Sequence, residues 1–262
     1  MPVCNPNAKI NIGLDVLRRR EDGYHDLESL FVPYEGLTDV LEIEPSKRFS
    51  IEILREGRVM DGSRPGDWDP MSDLTVKAYK LLKKDFPDLP PVAIRLEKRI
   101  PVGAGLGGGS ADCAFALRMM DEMFDLYMPF EMLEIYAAEL GSDCPFFVRN
   151  TPAFASGRGE VLEPYDASFL KDCRIEVVVP EGVSVSTKQA YAGIVPSVPE
   201  ISLPDALKRP LEEWKDCVKN DFEKTVFALY PSLELIKQDL YSRGALYASM
   251  SGSGSALYGI FR

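Results

Sequence analysis

The chain is poor in the residues that build common metal and nucleophile sites. His25 is the only histidine among 262 residues, which excludes a metal site built on several histidines. A Ser-His catalytic pair would have to use His25. The five cysteines are so scattered that even the nearest pair, Cys144 and Cys173, fits neither a disulfide framework nor a zinc knuckle.

Positive charge and long apolar runs are also lacking. Lys and Arg number 30 against 41 Asp and Glu, for a net charge of −11, which argues against nucleic acid as a partner because such binding depends on neutralised phosphates. No apolar run approaches the ~20 residues that span a bilayer, and no charged leader with an apolar core begins the chain. We expect a cytoplasmic protein without a membrane partner. A hydrophobic content of 45% allows one large domain or two lobes.

Glycine, by contrast, is concentrated: five glycines lie within the seven residues 103–109. Glycine lets backbone N–H groups converge on one anion. Residues 110–124 carry apolar side chains at helical spacing, so the loop is expected to open a helix and to gain its positive end. The stretch therefore predicts a site for a nucleotide phosphate, although a glycine-rich surface turn remains an alternative.

Two better-known phosphate loops fit this stretch poorly. Gly103, Gly105 and Gly108 satisfy the dinucleotide-binding spacing, but no βαβ unit leads into them. The pattern of P-loop nucleotide hydrolases nearly fits from Gly103 to Gly108, yet Gly109 stands where its lysine is required.

The sequence Pro-x-x-x-Gly-Leu-Gly-Gly-Gly-Ser-Ala-Asp, residues 101–112, resembles the ATP loop of the GHMP kinase superfamily. That resemblance implies an acceptor-binding motif near the amino end and a glycine-rich segment near the carboxyl end. Residues 7–16 with 22–27 match the first, and residues 250–259 match the second, in the expected order. Within the superfamily, residues 9–14, 20–31 and 140–147 are similar to the branch whose acceptor carries a cytidyl diphosphate.

The resemblance implies an ATP-dependent small-molecule kinase. Its acceptor would be the 2-hydroxyl of 4-diphosphocytidyl-2-C-methyl-D-erythritol, an intermediate of non-mevalonate isoprenoid biosynthesis, with Mg²⁺ held mostly by phosphates rather than by a protein metal site. Alternatives are another kinase of the superfamily, of mevalonate or homoserine type, and a nonenzymatic sensor on the same fold. The oligomeric state is left open.

The resemblance also implies roles for individual residues. Asp143 corresponds to the catalytic base and Lys9 to the lysine that stands beside it and the acceptor hydroxyl, although the sequence alone favours a helix cap for Asp143. Asp73, where the superfamily commonly has Asn, would border the adenine. Ser110 has two possible roles, a contact with a nucleotide phosphate or the N-cap of the helix that follows. The implied ATP-binding residues are Pro101, Gly103, Ala104, Gly105, Leu106, Gly107, Gly108, Gly109, Ser110, Ala111, Lys98 and Asp73.

The implied substrate pocket contains Tyr24, to stack on the cytosine, and His25, to hydrogen-bond its edge. Asn11, Phe31 and Thr187 are further implied members. The purely structural alternatives are a half-buried aromatic for Tyr24, a surface turn residue for His25 and a helix N-cap for Thr187.

Hydrophobic periodicity predicts an α+β protein, and the resemblance gives it the two-lobed GHMP kinase fold, with an amino-terminal lobe like a ribosomal-protein domain and an α/β carboxyl-terminal lobe. The lobes are expected at 1–155 and 156–262. Strands are predicted at 8–16, 40–45, 49–54, 92–96, 153–156 and 174–179, and a hairpin around 252–254. Helices are predicted at 72–85, 110–125, 130–140, 187–194, 222–229 and 232–243.

Overall fold

The computed structural model describes residues 2–61 and 68–262. The strands are β1 Val3–Cys4, β2 Asn7–Arg19, β3 His25–Thr38, β4 Val40–Pro45, β5 Ser50–Arg55, β6 Arg58–Val59, β7 Val92–Lys98, β8 Ala153–Ser156, β9 Val161–Pro164, β10 Arg174–Val178, β11 Tyr247–Met250 and β12 Leu257–Phe261. The helices are α1 Leu74–Asp85, α2 Gly108–Met123, α3 Phe130–Leu140, α4 Cys144–Arg149, α5 Thr187–Ala192, α6 Leu203–Ala206, α7 Trp214–Cys217, α8 Phe222–Leu229 and α9 Pro231–Ser242.

The first compact unit comprises Met1–Ala8, Tyr34–Val102 and Gly107–Asn150. Its sheet has the strand order β1-β4-β7-β5-β6, with β4 antiparallel and β5 parallel to β7. Alternate residues of β7 are buried, as the period of two in a strand requires. Lys98 ends this strand on the same buried face as Leu96, so the strand itself carries a lysine into the interior.

The second unit comprises Lys9–Pro33, Gly103–Leu106 and Thr151–Arg262. It contains the sheet β2-β3-β8-β9 and the sheet β10-β12-β11. Strands β11 and β12 form an antiparallel hairpin, which confirms the predicted one. The hairpin packs with α8 and α9 around one hydrophobic core. Its buried side chains include Val226, Leu233, Leu240 and Leu257.

The α+β class is confirmed, and the predicted helices and strands are present with small shifts at their ends. Strand β3 was not predicted, because residues 29–32 are buried on both faces and so show no alternation. Helix α4 was also not predicted, because Pro145 resembles a helix breaker, although proline is tolerated in a first turn. None of the described helices is long and apolar enough to cross a bilayer. The two units interleave along the chain, and the boundary at residue 155 stays a prediction.

Candidate active site

Three of the predicted site residues meet on the paired strands β2 and β3. Lys9 and Asn11 are two residues apart on β2, so their side chains share a face, and both are buried. The Lys9 ammonium donates a hydrogen bond to Asn11 Oδ1. The same ammonium lies 4.5 Å from the ring centroid of Phe31 on β3.

Asn11 is held in place from two directions. Its Nδ2 donates to Ser29 Oγ at 3.0 Å, and Ser29 Oγ donates to the Gly13 carbonyl at 2.6 Å. The hydroxyl of Tyr258 donates to the Asn11 carbonyl at 2.8 Å. The sequence reasoning missed Ser29, although it lies two residues before Phe31 and thus on the same face of β3.

The loop segment Gly103–Leu106 joins this strand to the turn between β11 and β12. Lys9 N donates to the Leu106 carbonyl at 2.9 Å, and Ala256 N donates to the Ala104 carbonyl at 3.0 Å. A Cβ on Gly105 would lie only 2.1 Å from the Ser251 carbonyl oxygen, so the two glycine-rich segments touch backbone to backbone. All three sequence motifs that carried the family resemblance therefore contribute to one part of the second unit.

Helix α2 begins directly after this loop. Gly107 is its N-cap and has φ +73°, in the left-handed region that favours glycine. The first-turn N–H groups have no intrahelical acceptor, which makes the helix start suited to an anion. Ser110 lies within the helix and does not cap it, so the N-cap alternative for Ser110 is wrong.

The remaining loop residues divide by burial. The apolar side chains of Ala104, Leu106 and Ala111 are buried and pack the loop, so only their backbone can face a ligand. Gly103 and Gly109 are exposed, and Pro101 is half-buried.

Lys98 is buried between two carboxylates of the first unit. Its ammonium donates to Asp39 Oδ2 and to Asp112 Oδ2. Asp39 Oδ1 accepts from the backbone N–H groups of Arg99 and Ile100, where β7 leads toward the loop. Burial lowers the pKa of Lys98, but the two carboxylates outweigh it and leave that pKa above its usual value. This cluster anchors the end of β7 to α2, and contact of Lys98 with a nucleotide stays a prediction.

Asp73 is the N-cap of α1. Its Oδ1 accepts from Thr75 N at 2.9 Å and from Thr75 Oγ1 at 2.7 Å. Capping accounts for an aspartate at this position. Its proposed place beside the adenine stays a prediction.

Asp143 occupies the N-cap position of α4, as the capping alternative expected, but its side chain makes no capping hydrogen bond. The next residue, Cys144, is buried. Hydrogen bonds with the side chains of Cys113 and Ser110, both on α2, act to lower the pKa of its thiol. The start of α4, and with it the Asp143 backbone, is thereby fixed against the first turns of α2.

Tyr24 is the last residue before β3, and His25 is the first residue of that strand. Asp22 Oδ1 accepts a hydrogen bond from Tyr24 N at 3.0 Å. Tyr24 is 58% exposed, so the structural alternative of a half-buried aromatic is wrong for this residue. The His25 ring stacks on Tyr191, with centroids 4.9 Å apart and an interplanar angle of 23°. Tyr191 in turn packs edge-on against Phe222.

Thr187 is the exposed first residue of α5, and the capping box of this helix is formed by Ser186 and Gln189. The N-cap alternative for Thr187 is therefore wrong. The sequence reasoning missed Tyr191 as a site residue. Its position one helical turn after Thr187, on the same face of α5, was the available signal.

No group of three or more His, Cys, Asp or Glu able to hold a metal occurs among residues 2–61 and 68–262. Mg²⁺ commonly keeps waters and uses substrate phosphates with one or two protein oxygens. The backbone N–H groups of the loop suit phosphate oxygens, and the Ser110 hydroxyl is an oxygen near them, so this site fits a Mg²⁺ ion that arrives with a nucleotide.

Comparison with known proteins identifies both halves of the chain. Residues 73–151 match the model of the GHMP kinases N terminal domain, and residues 202–262 match the GHMP kinases C terminal model. A 4-diphosphocytidyl-2-C-methyl-D-erythritol kinase from Bacteroides fragilis is 49% identical over 98% of this chain and 90% of its own length.

Solved structures give the same result. A crystal structure of 4-(cytidine 5'-diphospho)-2C-methyl-D-erythritol kinase has a TM-score of 0.81 and 32% identity, covering 99% of this chain and 90% of its own. A mevalonate kinase has a TM-score of 0.73 at 13% identity, covering 100% and 92%, and this likeness concerns the fold alone.

Proposed function

Because the chain belongs to the 4-diphosphocytidyl-2-C-methyl-D-erythritol kinases of the GHMP superfamily, we propose that it transfers the γ-phosphoryl group of ATP to the 2-hydroxyl of that substrate. The structural observation that supports this most strongly is the contact of loop segment Gly103–Leu106 with both Lys9 and the 251–256 turn. The cytoplasm is the proposed compartment.

Nucleotide binding is assigned to the glycine-rich loop and the start of α2. Phosphoryl transfer depends mainly on positioning and on neutralising developing charge. Backbone N–H groups that hydrogen-bond charged oxygens contribute about 1.5–3 kcal/mol each, so a few of them replace the lysine of a P-loop. Mg²⁺ that arrives with the nucleotide would supply further charge neutralisation on the phosphates, and the Ser110 hydroxyl, in the first turn of α2, would help to hold it.

Asp143 is assigned as the proton acceptor for the substrate hydroxyl. A tertiary alcohol is a weak nucleophile, and a positioned base contributes about 10²–10⁴ in rate. Lys9 is assigned to stabilise the negative charge that develops on the acceptor oxygen, with Asn11 fixing the direction of its ammonium. The cytosine is assigned to Tyr24, His25 and Tyr191, with Phe31 and Thr187 completing the substrate side.

Phosphorus NMR of the purified protein with Mg-ATP tests the proposal. The substrates are the cytidyl diphosphate substrate, mevalonate and homoserine, each in a separate reaction. We expect a new phosphomonoester resonance only with the cytidyl substrate. Turnover of mevalonate or homoserine instead would favour another kinase of the superfamily, and ATP binding without turnover of any acceptor would favour a sensor.

The Asp143→Asn variant tests the assigned base. It keeps the size of the side chain but removes the proton acceptor, so turnover is expected to fall by roughly 10² or more while ATP affinity persists. Asp172→Asn, at an exposed aspartate, is the matched control. The assignment is falsified if pure Asp143→Asn retains near-normal turnover.

A further inference from the structure

An arginine covers the ring of Tyr24. The guanidinium carbon of Arg158 lies 4.9 Å from the centroid of that ring. Arg158 belongs to the turn between β8 and β9, a segment to which neither the motifs nor the assigned mechanism gives a role. A guanidinium over an aromatic face is attracted by the negative potential of the ring, and the contact orients both side chains.

The position of this turn is fixed by the strand that follows Tyr24. Leu27 N donates to the Gly157 carbonyl at 2.7 Å, which attaches the turn to the beginning of β3. The pairing of β3 with β8, in which Ser29 is opposite Ala155, continues the attachment. Arg158 is therefore held beside Tyr24 by the backbone.

The guanidinium keeps donors available. Among residues 2–61 and 68–262, the guanidinium donates a hydrogen bond from Nε to Glu160 Oε1, at a long 3.4 Å. Arginine has five N–H donors in a planar fork, so the four on the terminal nitrogens remain for another acceptor. The side chain is 44% exposed, which leaves room for a ligand.

We propose that Arg158 is a specificity-determining residue that binds the diphosphate of the substrate while it lies on Tyr24. The proposal rests on the proposed function. Only one ribose separates the base assigned to Tyr24 from the first phosphate, so a cation on this ring is close to where that phosphate must lie. Arginine matches phosphate oxygens with paired hydrogen bonds, and a chain of net charge −11 needs such a local cation to bind a diphosphate.

The test is steady-state kinetics of Arg158→Ala, Arg158→Lys and Arg158→Gln. The intact substrate is compared with 2-C-methyl-D-erythritol, the part that lacks the cytidyl group and both phosphates. For Arg158→Ala and Arg158→Gln, KM for the intact substrate should rise by about 10- to 100-fold, while KM for ATP and the kinetics with the truncated substrate should stay unchanged. Arg158→Lys, which keeps the charge without the planar fork, should recover part of the loss.

Arg174→Ala is the matched control, because Arg174 also lies over an aromatic ring, Phe261, at 4.4 Å and pairs with a glutamate at 3.0 Å. It should leave both substrates unaffected. An unchanged KM for the intact substrate in Arg158→Gln would overturn the proposal, and so would an equal loss with both substrates, which indicates a merely structural role. If the wild type phosphorylates no cytidyl substrate at all, the proposed function itself is wrong and this proposal falls with it.

Discussion

Each of the two units buries a lysine, but in different surroundings. Lys98 of the first unit lies between the carboxylates of Asp39 and Asp112. Lys9 of the second unit donates to the amide of Asn11 and lies against the ring of Phe31, in a row of hydrogen bonds that continues to Ser29. The same residue type at similar burial thus serves the packing of elements in one place and a proposed substrate contact in the other.

The Lys98 cluster contains one cation and two acids, and it is not fully balanced. Asp112 Oδ1 is buried and, among the described residues, has no hydrogen-bond partner. Burial raises the pKa of Asp112 well above its usual value. Removing the lysine would leave carboxylates in the interior without their compensating charge, which is the costly way to break a buried ion pair.

The largest effect on folding is expected from Lys98→Met. The free energy of unfolding should fall by about 3–5 kcal/mol, since the buried carboxylates lose their cation. Urea unfolding followed by circular dichroism measures it. Lys77→Met, at an exposed position of α1, is the control and should stay within ~0.5 kcal/mol of wild type. Equal stability of Lys98→Met and the control would show that the cluster does not anchor β7 to α2.

Lys9→Met is expected to affect turnover strongly and the free energy of unfolding only weakly, the opposite of Lys98→Met. Turnover should fall by roughly 10²-fold or more, because a charged donor assigned to the acceptor oxygen is removed, while unfolding changes less than for Lys98→Met. Saturating kinetics and the same urea titration measure the two quantities. If Lys9→Met loses stability but keeps turnover, the two lysines have the same role and the contrast between them disappears.

Two alanine variants in the loop that contacts Lys9 test the role of this region without changing any charge. In Gly105→Ala the new Cβ would meet the Ser251 carbonyl, so the loop must shift and ATP affinity should fall by tenfold or more, on the order of 1.4 kcal/mol. In Gly103→Ala nothing lies within 4 Å of the Cβ, so this variant has only the backbone strain of its positive φ, about 1–2 kcal/mol, which Gly105→Ala shares in addition to its clash. Calorimetric ATP titration should therefore rank Gly105→Ala as the weaker binder, and the reverse order would contradict the backbone contact.

The smallest effect concerns Asp15, another buried carboxyl group, on β2. Burial, followed by the charges of Asp221 and Glu28, raises the pKa of Asp15 to about 7, while Lys219 acts against the shift. The folded state therefore holds a proton that the unfolded chain releases near pH 4, so this group lowers stability as pH rises from about 4 to about 7.

Asp15→Asn should flatten the fall in stability over this pH range, relative to wild type. Thermal unfolding at several pH values measures it, with Asp172→Asn as the exposed control. A wild-type slope retained in Asp15→Asn would assign the dependence to other groups.

Much of the site could be predicted from the sequence because its signals are local. Alternation along β2 places Lys9 and Asn11 on one face, and the glycines before α2 indicate a loop that opens a helix. The capping alternatives for Ser110 and Thr187 were wrong because a cap depends on the one residue at which the helix begins, and Gly107 and Ser186 hold those positions. Tyr191 was missed because its stacking on His25 joins residues far apart in the chain.

The sequence by itself determined most of the helices and strands, the glycine-rich loop that opens α2 and the family, because periodicity, glycine spacing and motif order are properties of neighbouring residues. Only the tertiary structure decided which buried charged groups pair with one another. Lys98 and Asp39 are 59 residues apart, and no periodicity specifies that they meet. The placement of Arg158 on Tyr24 and of Gly105 on Ser251 has the same origin, since strand pairing and close backbone packing join segments that carry no mutual signal along the chain.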